Sequence, residues 1–350
     1  MKKVALLLNS LNGAGAQKTL LTLAEKLFEK GISVDCYIVH ENKNDYKVRD
    51  GIDVIYMEGA NEAQKCVFLN EQTSGRDYDL FITCQPEYYS AAVAGKKYCS
   101  VHHTPSSWND RPFWKFLERR KYMQRDREYY QGKNLIALSE GIKQDLIENL
   151  HCTPQSIKVI NNPFDISAIR DKAEDDQNIP DFPYIIYVAS LSERKRHEDL
   201  FRAFARIRNR EIKLVLVGKG SNERRLKKLA AKLGITERII FWGWDANPYR
   251  LVKNARLAVL ASRAEGLPRV VVEAMALRTP VVSTDCRSGP REVLTGQFEC
   301  FLVPVGGVTE MADAINRALE NYPDIPDDFV ARFDGDYIAE QYVGLISAGD

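Results

Sequence analysis

Two doubly wound α/β domains are what this sequence predicts, on three observations. Apolar strand-like runs alternate with amphipathic helix-like stretches along the chain, the pattern of parallel sheets with crossover helices. Glycine-containing loops stand between a strand and a helix near residue 15 and again at residue 266, an arrangement that presents free N–H groups to an anion. At 350 residues the chain can form two domains, each with a core of its own.

Composition narrows the class. Hydrophobic residues make up 45% and charged residues 28%, and 49 Lys and Arg against 48 Asp and Glu leave a net charge of +1, the balance of a globular protein rather than of a nucleic-acid binder. The apolar run at the start, Val4 to Leu8, is too short for a signal peptide. No stretch approaches the roughly 20 apolar residues of a membrane span, so any membrane contact is expected to be peripheral, and the scattered cysteines fit a reducing, cytoplasmic location. Seven scattered cysteines without a Cys-x-x-Cys pair argue against a disulfide framework and against a zinc site.

Val4 to Asn9 reads as the first strand, Ser10 to Ala16 as a small-residue loop, and Gln17 to Glu29 as a helix stopped by Gly31. Lys18 stands where the dinucleotide fingerprint needs a small residue, which disfavours NAD. Strands follow at Ser33–Val39 and Asp53–Met57, a helix at Asn61–Leu69, and a strand at Asp79–Cys84. Asp77 and Asp79 precede that last strand, so they are read as solvated turn residues and not as a metal site. The strand from Tyr98 ends in His102 and His103 at the ligand-binding edge.

From 95 to 133 the chain carries ten Lys and Arg against four Asp and Glu, interleaved with Trp108, Phe113, Trp114 and Tyr122. Two roles stay open: a helix on an anionic membrane, with Arg119, Arg120 and Arg125 as contacts, or a solvated face over an apolar stripe. Asn134–Ser139 is a strand, and Ser139 is the expected N-cap of a helix at Glu140–Asn149. Lys158 to Asp165 reads as a strand and turn, and the polar run Asp171 to Asp181 as the interdomain linker.

The second domain alternates again: strands at Tyr184–Ala189, Lys213–Val217 and Arg238–Trp242, with helices at Arg196–Asn209, Asn222–Leu233 and Tyr249–Asn254. Arg194, Lys195 and Arg196 follow its first strand and can neutralise a diphosphate. The chemistry concentrates in Ser262-Arg-Ala-Glu265-Gly266-Leu267-Pro268-Arg269, followed by a helix from Val270 to Leu277 that carries Glu273. Two carboxylates flanking a Gly-x-Pro turn at a helix start suit separate hydroxyls of a nucleotide sugar, with the amides on its diphosphate. A helix at Val308–Asn321 follows, and Asp334-Gly-Asp336 is read as the cap of a last helix.

The Glu-x7-Glu pair, followed by Ala274-Met-Ala and Thr279-Pro-Val-Val, resembles the signature of family 4 retaining glycosyltransferases of GT-B fold, in their bacterial envelope polysaccharide and lipopolysaccharide type. The resemblance implies two Rossmann-like domains facing each other across a cleft: an acceptor-binding domain over 1–168, with a C-terminal helix at 336–350 packed back on it, and a nucleotide-sugar domain over 182–335. It assigns the donor hexose to Glu265, to the amides of Gly266, Leu267 and Pro268, and to His102, with His103 as the reserve for that contact and otherwise on the acceptor side. It further assigns the ribose to Glu273, the diphosphate to Lys195 and Gly15, and the base pocket to Trp244, while Trp242 is expected in the core. Ser190 stands where the family has an Arg, with Arg194 or Arg196 as substitutes.

The function so implied is retaining transfer of a hexose from a nucleotide-diphosphate sugar to a saccharide or lipid-linked acceptor in envelope polysaccharide synthesis. UDP-sugar is the default donor, with no metal and no cofactor. A nucleotide-sugar 2-epimerase of the same fold and a non-catalytic partner subunit are the alternatives, the latter prompted by Ser190.

Overall fold

The computed structural model describes residues 2–12, 15–41, 46–110 and 116–347, the side chains of 108–110 and 116 excepted. Gly13, Arg111, Phe113, Trp114 and Lys115, and the side chain of Trp108, therefore lie outside the described residues. The chain divides into two compact units, Met1–Phe164 with Arg332–Asp350, and Asp165–Ala331.

The first unit runs β1 (Lys3–Leu8), α1 (Gly15–Glu29), β2 (Ser33–Ile38), β3 (Asp53–Tyr56), α2 (Glu62–Ser74), β4 (Leu80–Thr83), β5 (Lys96–Val101), α3 (Phe116–Tyr130), β6 (Asn134–Ala137), α4 (Glu140–Gln144) and β7 (Ser156–Val159). All seven strands are parallel, in the order β3-β2-β1-β4-β5-β6-β7, so the strand order reverses between β1 and β4. Successive residues of a strand face opposite sides, and β1 is apolar on both. Val4, Leu6 and Leu8 join Leu20, Leu23 and Leu27 of α1, while Ala5 and Leu7 join Tyr37 and Phe81 on the other face. Burial on both sides explains the unbroken apolar run.

The second unit runs α5 (Ile166–Ala173), β8 (Tyr184–Val188), α6 (His197–Phe204), β9 (Lys213–Val217), α7 (Glu223–Lys232), β10 (Ile239–Gly243), α8 (Tyr249–Lys253), β11 (Leu257–Leu260), α9 (Arg269–Ala276), β12 (Val281–Thr284), α10 (Pro290–Val293), β13 (Leu302–Val303) and α11 (Val308–Glu320). Its six parallel strands have the order β10-β9-β8-β11-β12-β13, so this sheet reverses between β8 and β11. The chain then returns to the first unit as α12 (Gly335–Ser347), whose Ile338, Tyr342 and Leu345 share the core of α1. Asp334 accepts the N–H of Asp336 at 2.9 Å, and Asp336 lies 3.6 Å from Lys26.

Several boundaries differ from the sequence expectation for identifiable reasons. The run taken as a linker begins inside α5, because Asp165 caps that helix on the N–H of Ala168 at 3.0 Å and Ile166 and Ile169 bury an apolar stripe that packs with α8 and α9. The first unit stops at Phe164, whose backbone bonds Phe333 and Gly335. Asp79 is half-buried rather than solvated and accepts the backbone N–H of Lys3 at 2.7 Å. Ser139 caps α4 on the N–H of Ile142, but the helix continues as a π turn over Asp145–Asn149, where buried Asp145 accepts the N–H of Ser106 at 2.8 Å. The helix expected over Arg196–Asn209 ends at Phe204, and β13 is a two-residue strand too short for periodicity to reveal.

Candidate active site

In an open parallel sheet, ligands bind beyond the carboxyl ends of the strands where the strand order reverses. In the second unit that place lies between β8 and β11, and the loops after those two strands carry the cations and the first carboxylate. Lys195 Nζ lies 2.6 Å from Glu265 Oε1, and Arg194 Nη1 lies 4.0 Å from Glu265 Oε2. The side chains of Lys195 and Glu265 are 12% and 10% exposed, so the pair is largely withdrawn from solvent. Burial by itself raises the pKa of Glu265, but the charges of Lys195 and Arg194 outweigh it and hold the carboxyl below its ordinary range. The carboxylate is therefore ionised at neutral pH.

A buried framework holds the two loops together. The hydroxyl of Tyr187, fully buried in β8, donates to the carbonyl of Lys195 at 2.9 Å and lies 3.3 Å from the hydroxyl of Ser262. Thr284 donates to the carbonyl of Ser262 at 2.6 Å, and the N–H of Arg263 bonds the carbonyl of Arg194 at 2.9 Å. The ring of His197 lies against that of Tyr187, with centroids 4.7 Å apart and planes tilted by 33°. His197 is 2% exposed, and burial, aided by the charge of Lys195, pushes its pKa down to about 4.

The loop after Glu265 is braced from a third strand. Ser288 donates to the carbonyl of Glu265 at 2.9 Å, and Gly289 sits so close that a Cβ there would lie 2.4 Å from the carbonyl oxygen of Gly266. Gly266, Leu267 and Pro268 are buried and lead into α9, with Pro268 as its N-cap. The first N–H groups of a helix have no acceptor within it, so the α9 start offers donors to an anion beside the two cations. One turn on, Glu273 is 8% exposed, with Tyr249 Oη 3.3 Å and Arg269 Nε 3.5 Å from its Oε1.

The remaining candidates divide clearly. Ser190 is exposed, beside the tight Gly218 turn, where a Cβ would come within 2.1 Å of the carbonyl oxygen of Ala189. Of its two substitutes, Arg194 stands at Glu265, whereas Arg196 pairs with Asp199 and reaches toward Gly306. Trp244 is 50% exposed on the loop after β10. Trp242, expected in the core, is only half-buried, and its indole N–H donates to Asp245 at 2.9 Å.

In the first unit, Gly15 is the exposed first residue of α1, and His102 and His103 follow β5. His103 Nε2 lies 3.8 Å from the buried carboxylate of Asp126, which also accepts from Arg125 at 2.8 Å. Arg125 further lies over the rings of Tyr122 and Tyr129, so its charge is engaged within its own helix. Arg119 is half-buried and Arg120 exposed. No described helix is long and apolar enough to cross a membrane.

Sequence reasoning did not single out Tyr187, His197, Ser288 or Gly289. Only Gly289 carried a signal, as the glycine of a Ser-Gly-Pro turn after a strand.

Two family models match the chain: "Glycosyl transferases group 1" over residues 169–332 and "Glycosyltransferase Family 4" over residues 13–168, together 320 of 350 residues. A Campylobacter jejuni N-acetylgalactosaminyltransferase acting on an N-acetylgalactosamine-N,N'-diacetylbacillosaminyl-diphospho-undecaprenol is 31% identical over 193 residues, 55% of this chain and 52% of its own. The Salmonella typhimurium lipopolysaccharide 1,6-galactosyltransferase is 31% identical over 196 residues, 53% of this chain and 52% of its own. These alignments span about half the length of either relative. Among solved structures, Anabaena HepE in complex with UDP-glucose aligns with a TM-score of 0.80 at 20% identity, covering 99% of this chain and 100% of HepE, a likeness that shows the GT-B fold.

Proposed function

We propose that this chain, which belongs to the glycosyltransferases described by the group 1 and family 4 models, moves a hexose with retention from a nucleotide-diphosphate sugar to a glycan or lipid-linked acceptor in envelope polysaccharide synthesis. The observation that carries the reading is the meeting of Lys195 and Glu265 at 2.6 Å where the second sheet reverses, with Glu273 one turn into the adjoining helix. UDP-sugar is the proposed donor, supported by the UDP-glucose held by HepE. The lipid-linked or lipopolysaccharide acceptor is supported by the names of the Campylobacter and Salmonella relatives.

The chemistry follows from the charges. As the bond to the sugar breaks, negative charge grows on the departing diphosphate. Lys195, Arg194 and the amides at the α9 start are the groups that stabilise it. The leaving phosphate then takes the proton of the acceptor hydroxyl on the same face of the sugar, which needs no protein nucleophile. Glu265 holds sugar hydroxyls and is itself held by Lys195.

A weak anionic membrane contact is proposed for α3, carried by the exposed Arg120, Lys121 and Arg127 and by Leu117, which is 79% exposed.

Incubation with α-linked UDP-hexoses, reading the first-formed sugar by proton NMR, tests the reaction. Release or transfer as the α anomer supports retention, the β anomer contradicts it, and acceptor-free interconversion at C2 would make the chain an epimerase.

A further inference from the structure

Beyond the carboxylates and cations, the second unit contains an ion pair largely withdrawn from solvent, its side chains 8% and 12% exposed, that touches none of them. Arg250, on α8, is 7% exposed. Its Nη1 and Nη2 donate to Asp245 Oδ1 and Oδ2 at 3.0 and 2.8 Å, its Nε donates to the carbonyl of Gln177 at 2.7 Å, and Nη1 also donates to the carbonyl of Asn247. Asp245 in turn accepts the indole N–H of Trp242 and the backbone N–H of Asn247, both at 2.9 Å. The amide of Asn247 then ties the loop to the carbonyl of Lys172 at 2.8 Å.

Every segment around this pair is thereby fixed: the end of β10, the loop that follows, the start of α8 and the C-terminal end of α5. Both groups spend their polar atoms inside the network, so they act on the loop and not on a ligand. A buried ion pair is a poor device for stability alone, since a well-packed apolar pair of similar volume often serves as well or better. It is a good device for holding one geometry.

What it holds is informative. Between Trp242 and Asp245 the chain turns at Gly243, with φ +87°, and presents Trp244 half in solvent at the carboxyl edge of the sheet. Immediately after the loop, Tyr249 points its hydroxyl at Glu273 Oε1. An exposed aromatic platform and a buried carboxylate are thus set by one rigid segment. A nucleoside needs that combination: a flat apolar face for the base and an acceptor for the ribose hydroxyls.

We propose that Arg250 and Asp245 are positioning residues for nucleoside recognition, fixing the 243–249 segment so that the Trp244 platform and the Tyr249–Glu273 pair meet the base and ribose together. The inference rests on the transferase reading. Preorganisation of this kind lowers the ordering cost of binding and sharpens selection among bases.

The test titrates UDP, GDP and ADP into wild type, Arg250→Lys, Asp245→Asn and Trp242→Phe, with folding checked by thermal melts, and follows hydrolysis of the matching donor sugar. Lysine cannot reproduce the two-pronged contact, so affinity for the preferred nucleotide should fall about tenfold or more. Selectivity over the other two should shrink, and donor KM should rise far more than kcat falls. Trp242→Phe removes a single donor and should shift selectivity in the same direction by a smaller factor, which keeps the test decisive if the ion-pair variants do not fold. Folded variants with unchanged selectivity, or with an equal loss for all three nucleotides, would overturn the proposal. If wild type binds none of the three, the transferase reading itself falls and takes this inference with it.

Discussion

Lys195 Nζ and Glu265 Oε1 stand 2.6 Å apart although 70 residues separate them in sequence, because β8 and β11 are adjacent strands whose carboxyl-end loops meet where the sheet order reverses. The contact is a consequence of topology and not of local sequence. It places a largely buried cation against a carboxylate that the cation keeps ionised.

Separating this pair should cost both stability and rate. Lys195→Met takes the nearest cation from the mostly buried Glu265 carboxylate, and Glu265→Gln strands the ammonium; each should cost about 3 kcal/mol in chemical denaturation. Lys195→Met should also lower kcat by about 10² to 10³, the usual loss for one charge-stabilising group. The double variant Lys195→Met with Glu265→Gln should recover much of the stability and none of the rate. Recovery of both would mean the pair is only structural.

His197 sets an acid limit on the second unit. Its pKa is depressed to about 4 in the folded chain, against about 6.5 when unfolded. Between these values the unfolded chain binds the proton and the folded one does not, so stability falls as pH drops from 6.5 to 4 and levels off below. The loss attributable to this ring is about 3 kcal/mol at most, at about 1.4 kcal/mol per pKa unit. His197→Phe keeps an aromatic ring against Tyr187 and should flatten this window in denaturation curves taken at pH 7 and pH 4.5. An unchanged pH slope would remove the assignment.

Gly289→Ala should damage the donor loop at a distance. A methyl there would meet Gly266 O at 2.4 Å and Pro268 Cδ at 2.5 Å, and φ is +91°. Gly296→Ala is the control, since φ is +62° but nothing lies within 4 Å. The control should cost about 1 kcal/mol from backbone strain alone. Gly289→Ala should cost about 3 kcal/mol and lose nucleotide binding as well. Equal melting temperatures for the two variants would show that the brace does not matter.

On α3, the engaged and the exposed cations should behave differently. Arg120→Gln and Lys121→Gln should each weaken sedimentation with phosphatidylglycerol vesicles by about fivefold at low salt, while Arg125→Gln should change it little, because Asp126 and two tyrosine rings already hold that guanidinium. Sedimentation indifferent to all three would dismiss the membrane contact.

The strands are legible in the sequence wherever both faces are buried, as in β1 and β11, because a short apolar run bounded by glycine or polar residues suits a central parallel strand and little else. The residues expected at the site, Lys195 and Glu265 on loops and Glu273 on the adjoining helix, stand out in the sequence, and the structure brings the first two together. Three-dimensional consequences stayed hidden. Arg194 and Arg196 are two residues apart in sequence, yet one faces Glu265 and the other Asp199, because the chain turns through a left-handed residue at Arg196 with φ +46°. Tyr187 reads as an ordinary strand residue, and only the fold reveals that its hydroxyl joins two loops. The boundary near 165 was masked because α5 is short and rich in charge, so its apolar stripe is two isoleucines within a polar run.

The donor reading of the second unit turns on Glu273 holding the ribose of a nucleoside diphosphate bound at the start of α9. Calorimetric titration of UDP, GDP, ADP and NAD into wild type and Glu273→Ala puts that contact to the test. Wild type should select one nucleoside diphosphate, UDP foremost, and Glu273→Ala should lose about tenfold or more of that affinity while remaining folded. Binding of NAD alone, or of no nucleotide, or binding that Glu273→Ala leaves intact, would contradict the assignment.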